Sequence, residues 1–228
     1  MKRTLIIVLV IFFTNSIFPQ TRLLIKKTNG ITDSLLLSDI KSITFNTNPV
    51  FSETFGDGDF TNNPSWIANV SSSGCPLGTI SVINGELKAY QTNGNGCGNG
   101  AFIMINVNIP VSNSTQIQFD VKPTYSNVAG GAGVQNDEYP AVINLWIVTS
   151  TSETVVVRFA YNYRGGASWT GSNYIVKAFP NCQQNVWRRN EQFVLKEHVP
   201  NAVKIIKIQA GGQGWNYEGY FDNIKIIN

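Results

Sequence analysis

The stretch Val155-Val156-Val157-Arg158-Phe159-Ala160-Tyr161-Asn162-Tyr163-Arg164 decides the fold. Its side chains fall into two alternating sets. Val155, Val157, Phe159, Tyr161 and Tyr163 form one; Val156, Arg158, Ala160, Asn162 and Arg164 form the other. A period of two is what a β-strand gives when successive side chains leave on opposite faces. The first set reads as core and the second as a polar sheet face. Val142 to Val148 repeats the pattern, with Ile143, Leu145 and Ile147 inside and Asn144 and Trp146 outside.

Working outward, strand follows strand. Phe51 to Phe55, Thr79 to Ile83, Glu86 to Gln91, Ala101 to Ile109 and Thr115 to Lys122 precede the deciding pair. Asn173 to Phe179, Asn190 to Leu195, Val203 to Ala210 and Gly219 to Ile227 follow it. Between them lie Gly/Asn/Ser loops at Asn93 to Gly100, Ala129 to Gly133, Gly165 to Gly166 and Gly211 to Gly214. Short strands at this spacing, without sustained helical periodicity, predict an all-β domain over residues 49–228, a two-sheet antiparallel sandwich or a barrel. A small β appendage is expected ahead of it, in residues 21–48, from Arg22 to Lys27, Ser34 to Leu37 and Ser42 to Asn46, with Thr47-Asn48-Pro49 as linker.

Composition excludes several functions. Apolar residues make up 43% and charged residues 14% of the chain, which is not the balance of a disordered protein. The formal net charge is +3, too small for a nucleic-acid binder that works by neutralising phosphates. Met1-Lys2-Arg3, then the nine apolar residues Leu5 to Phe13, then Pro19, read as a secretory signal peptide over residues 1–20. The run is short for a transmembrane span of roughly 20 residues, and no later stretch suits one; a retained N-terminal anchor is the alternative. Removing Lys2 and Arg3 from the 17 basic groups leaves 15 against 14 acidic ones, so overall charge does not steer the mature chain toward polyanions.

Cysteine usage fits export. Cys75 and Cys97 flank two strands joined by Asn84-Gly85, a hairpin turn that brings both thiols to one open end. A bridge there would close a loop worth about 3 kcal/mol; three reduced, buried thiols are the alternative. Cys182 is the odd one out. With His198 as the sole histidine, a zinc site is not expected.

Two resemblances add to this reading, the first bearing on compartment and the second on function. The wording Leu24-Ile25-Lys26-Lys27-Thr28-Asn29-Gly30, with Leu37-Ser38-Asp39-Ile40-Lys41-Ser42-Ile43-Thr44-Phe45, resembles a segment found after the signal peptide of many secreted Bacteroidetes-type proteins. The framing of the main domain, Phe51-Ser52-Glu53-Thr54-Phe55-Gly56-Asp57-Gly58-Asp59-Phe60 at its start and Gly219-Tyr220-Phe221-Asp222-Asn223-Ile224-Lys225-Ile226 at its end, resembles jelly-roll carbohydrate-binding modules and lectin-like domains. That resemblance implies pairing of the first and last strands and a structural Ca2+ held by Glu53 and Asp222, with Asp57 as an acidic neighbour. Calcium wants six to eight oxygen ligands. The alternative is that Asp222 begins a turn and caps nearby N–H groups.

The outward set supplies a candidate ligand face. Asn144, Trp146, Arg158 and Asn162 combine an aromatic face for pyranose C–H groups with amides and a guanidinium for hydroxyls. Trp169 and Tyr174 form an expected rim, while Trp187 and Trp215 read as core and loop anchors. The implied partner is a polysaccharide or cell-surface glycan, met outside the cell. Catalysis has less behind it. Retaining glycosidases need two carboxylates about 5 Å apart, and no strand places two acids on one face. Arg158, Tyr163 and His198 could be cast as a lyase set, yet His198-Val199-Pro200 reads as a loop. No Gly-x-Ser-x-Gly elbow occurs, and no catalytic residue is assigned. A structural surface protein without a small ligand is the third class.

Overall fold

The computed structural model describes residues 22–26, 31–36, 49–71, 77–91, 99–126, 139–162, 174–179, 182–214 and 216–228. Residues 1–46 and 47–228 are separate compact units. In the first, β1 (Arg22–Lys26) and β2 (Thr32–Leu36) pair antiparallel. The signal segment, the expected Ser42 to Asn46 strand, Tyr163, Trp169, Trp215, Cys75 and Cys97 lie outside the described residues, and the Cys75–Cys97 bridge with them.

The second unit is built from β3 (Phe51–Glu53), β4 (Ile67–Ser71), β5 (Thr79–Ile83), β6 (Glu86–Gln91), β7 (Asn99–Pro110), β8 (Gln116–Ser126), β9 (Tyr139–Thr149), β10 (Thr154–Tyr161), β11 (Tyr174–Phe179), β12 (Arg188–Val194), the single turn α1 (Leu195–His198), β13 (Ala202–Gly214) and β14 (Tyr217–Ile227). Two sheets form. The first has the order β11-β10-β9-β13-β7-β4 and the second β12-β8-β14-β6-β5, with β3 added to β14. First and last strands of the unit therefore pair, Glu53 opposite Ile224.

The alternation in β9 and β10 decides which side is core. Ile143, Leu145, Ile147, Val157, Phe159 and Tyr161 are fully buried and meet Leu87, Phe119 and Phe221 of the second sheet. The Phe119 ring lies 6.1 Å from Phe159 and 5.9 Å from Tyr161, so aromatic contacts cross between the layers. Full burial of a side chain of this size contributes about 1.5–3 kcal/mol. The β5–β6 turn forms as its sequence dictates, Asn84 and Gly85 both taking positive φ (54° and 77°).

Four expectations are corrected. Gly211 to Gly214 and Asn99-Gly100 are not loops but the ends of β13 and β7. The reason is a close approach: a Cβ on Gly212 would lie 2.5 Å from the Tyr217 ring, and a strand glycine often marks such a site. β4 lies outside the expected strand set; it is a five-residue edge strand whose Ile67 is 63% exposed, so it carries no buried alternation to read. The sheets are not wholly antiparallel, because β11 runs parallel to β10. His198 closes a helical turn rather than sitting in a loop.

Candidate functional site

Cross-strand register builds a polar row on the outer face of the first sheet. Arg158 of β10 stands opposite Asn144 of β9, which stands opposite Gln209 of β13. Arg158 Nε donates to Asn144 Oδ1 (2.8 Å), and Asn144 Nδ2 donates to Gln209 Oε1 (2.7 Å). The Arg158 guanidinium also lies 5.4 Å from the Tyr174 ring centroid. The adjacent row holds Val156, Trp146 and Lys207, with the Lys207 ammonium 4.9 Å from the Trp146 ring centroid. Beyond the polar row, on its other side, Phe102, Tyr139, Val142 and Ala160 pack together as an apolar patch.

Asn144, Trp146, Arg158 and Tyr174 thus share one face, as the alternation requires. The face is not wet throughout, however: Asn144 is 1% exposed, Arg158 8% and Asn162 2%. Buried polar groups persist where they are hydrogen-bonded, and Arg158, Asn144 and Gln209 bond in series across the sheet. Asn162 sits just past β10, where its N–H donates to Phe179 O (3.0 Å) and its carbonyl accepts from Cys182 N (2.9 Å). Trp146 and Tyr174, the aromatic members of the expected set among the described residues, are half-buried and in part open to solvent.

The acidic residues expected to share a cation do not converge. Glu53 is buried in register with Ile224 on the core side, and both of its oxygens accept protein N–H groups. Phe55 N donates to Oε1 (2.6 Å) and Trp66 Nε1 to Oε2 (2.9 Å). Burial pushes the Glu53 carboxyl above its usual range despite these bonds. Asp222 faces the other way and accepts from the Asn223 backbone N–H (2.7 Å) and side-chain amide (3.0 Å), the turn-type capping held open as the alternative. Asp57 accepts from Asp59 N (3.3 Å) in an exposed turn. Among the described residues no three acidic, His or Cys side chains form a cluster able to hold a metal.

Sequence reading missed a carboxylate pair that only the sheet assembles. Asp120 of β8 stands opposite Asp222 of β14 on the outer face of the second sheet. Asp120 accepts from Arg189 Nη1 (2.9 Å), Asn190 N (2.7 Å) and Asn223 Nδ2 (2.9 Å). Burial works against its ionisation, yet these donors outweigh burial and hold its carboxyl below the usual range. Burial raises the Asp222 carboxyl, and the neighbouring Asp120 adds to the rise. Beside the pair, Lys122, Tyr220 and Lys88 form a cross-strand row. Lys122 lies 4.0 Å from the Tyr220 ring centroid, and Arg189 lies 4.0 Å from that of Trp187. Trp187 is therefore a partner for surface cations rather than a core anchor.

His198 packs edge-on to Phe159 (5.7 Å between ring centroids), and burial, with the nearby Lys177, lowers its pKa. Cys182 is a buried free thiol donating to Phe179 O (3.2 Å), its pKa raised by burial.

No protein-family model and no curated protein sequence matches the chain. Among solved structures it is similar to a CBM61 carbohydrate-binding module in complex with β-1,4-galactotriose, at 11% identity and a TM-score of 0.38, over 82% of this chain and 99% of the module. It is also similar to the K3 cleaved adhesin domain of Lys-gingipain from Porphyromonas gingivalis w83, at 11% identity and a TM-score of 0.39, over 79% and 100%. A xylanase mutant matches at 12% identity and a TM-score of 0.38, over 82% and 89%. At these values no ligand or activity is carried over, and the sandwich stands on its own strand pairing.

Proposed function

We propose that residues 47–228 form a non-catalytic extracellular module that binds glycan on the outer face of the first sheet, around Trp146 and Tyr174. The observation that carries this reading is the placement of two half-buried rings beside a fixed chain of amides on one sheet face. A ring held at a fixed height offers a flat apolar surface to the C–H face of a sugar at little cost in side-chain entropy. The buried Arg158–Asn144–Gln209 chain then acts as the rigid floor that sets Trp146, rather than as the group that meets the ligand.

Export rests on the basic and apolar N-terminal run, and among the described residues no helix is long and apolar enough to cross a membrane. The binding reading is tested by a glycan array probed with the chain from residue 21 and with its Trp146→Ala variant. Loss of signal in the variant is expected; equal signal from both forms contradicts the assignment. Reducing-sugar and unsaturated-uronate assays on the same glycans are expected to stay at background, and turnover would replace the module by an enzyme.

A further inference from the structure

The two sheets divide the acidic residues of the fold unequally. The six strands of the first sheet carry Arg158, Lys177, Lys204 and Lys207 and not one Asp or Glu. The second sheet holds Glu53, Glu86, Asp120, Glu191, Glu218 and Asp222 in its strands, interleaved with its own cations. A near-neutral whole therefore conceals one cationic face. Register places Lys204 opposite Val148 and Lys207 opposite Trp146, so both ammonium groups rise on the outer face that holds the Trp146 ring. Among the described residues neither lysine is in an ion pair, whereas Lys88 and Lys122 of the second sheet are paired with Glu218 (3.2 Å) and Glu86 (3.7 Å).

We infer that the glycan taken by the first sheet is an acidic polysaccharide, whose carboxylate or sulfate groups meet Lys207 and Lys204 while a sugar ring stacks on Trp146. The inference rests on the binding reading above and adds the substrate class. Cations that are in no ion pair among the described residues, on strands that carry no carboxylate, complement a repeating anion. The half-buried indole and the adjoining amides add the ring stacking and hydroxyl contacts that a saccharide offers and a lipid headgroup does not.

The test is retardation of the chain from residue 21 in native gels cast with alginate or polygalacturonate as uronate arms, carrageenan as the sulfate arm, and β-1,4-galactan as the neutral arm. Retention on an acidic arm in excess of galactan, weakening as salt rises, is expected; the stronger arm identifies the acid. Lys204→Glu with Lys207→Glu should weaken that retention about tenfold, while Lys225→Glu on the second sheet leaves it unchanged. The inference is overturned if galactan retains the chain as strongly and without salt dependence. It is equally overturned if Lys225→Glu weakens binding as much, or if duplex DNA or anionic phospholipid vesicles displace the chain more readily than the acidic glycans. Binding to galactan alone that disappears in Trp146→Ala would remove the acidic class and leave the module standing. No retention on any arm, with a folded thermal transition, would remove both.

Discussion

The outer faces of the two sheets handle polar side chains in different ways. On the first, two amides and a guanidinium are buried and bond in series, Arg158 to Asn144 to Gln209. On the second, acids and cations alternate across strands, Asp120 buried and its neighbours half-buried or exposed, with Lys122 and Arg189 set over Tyr220 and Trp187. A buried chain has no solvent to replace a missing partner. A network that is in part open to solvent does, and salt screens its outer members. The first face is therefore a fixed platform, and the second is an adjustable, charge-balanced coat.

Breaking the buried chain should have the largest effect. Asn144→Leu leaves Arg158 Nε without its acceptor and Gln209 Oε1 without its donor, and should cost about 3–5 kcal/mol in urea unfolding. Replacing the set together, Asn144→Leu with Arg158→Met and Gln209→Leu, should recover much of that loss, since an apolar set of similar volume leaves neither of the two bonds in the chain half-made. No recovery would mean that the chain is not a closed unit. Next comes Glu53→Gln. Removing a buried charge sounds stabilising, but both Glu53 oxygens accept N–H groups, and an amide would turn its own donor toward one of them. A loss of about 1–3 kcal/mol is expected from chemical denaturation.

The second face should respond far less. Lys122→Met is expected to cost under about 1 kcal/mol, and the difference should disappear in high salt. A larger, salt-independent loss would remove the contrast between the faces. The smallest expected effect is on pH dependence. The folded Asp120 carboxyl is held below its unfolded value, so its stabilisation is present above the unfolded pKa of about 3.9 and is lost as pH falls through the folded one. Asp120→Asn should therefore flatten the acid limb of the thermal midpoint measured against pH.

How much of this was legible in the chain depends on where the information lies. Alternation within one strand gave the core face of β9 and β10 and placed Asn144, Trp146 and Arg158 together. It could not say that the polar members would be buried, because Gln209 and Tyr174, which contact Asn144 and Arg158, arrive from strands 65 and 30 residues beyond Asn144. The Asp120–Asp222 pair was unreadable for the same reason: its members meet through cross-strand register, not spacing. Charge balance misled in another way. A count over the whole chain averages two sheets whose strand acids all lie in the second. The glycine runs misled because a strand glycine that admits a ring, as Gly212 admits Tyr217, has the composition of a loop.

The central claim is that ligand is held on the face bearing Trp146 and not on the face bearing Trp187. Titrating the chain from residue 21 and its Trp146→Ala and Trp187→Ala variants calorimetrically, with oligosaccharides cut from whichever polymer retains it, tests this directly. The account predicts that heat of binding vanishes with Trp146→Ala and survives Trp187→Ala. Survival in the first, or loss in the second alone, would contradict it.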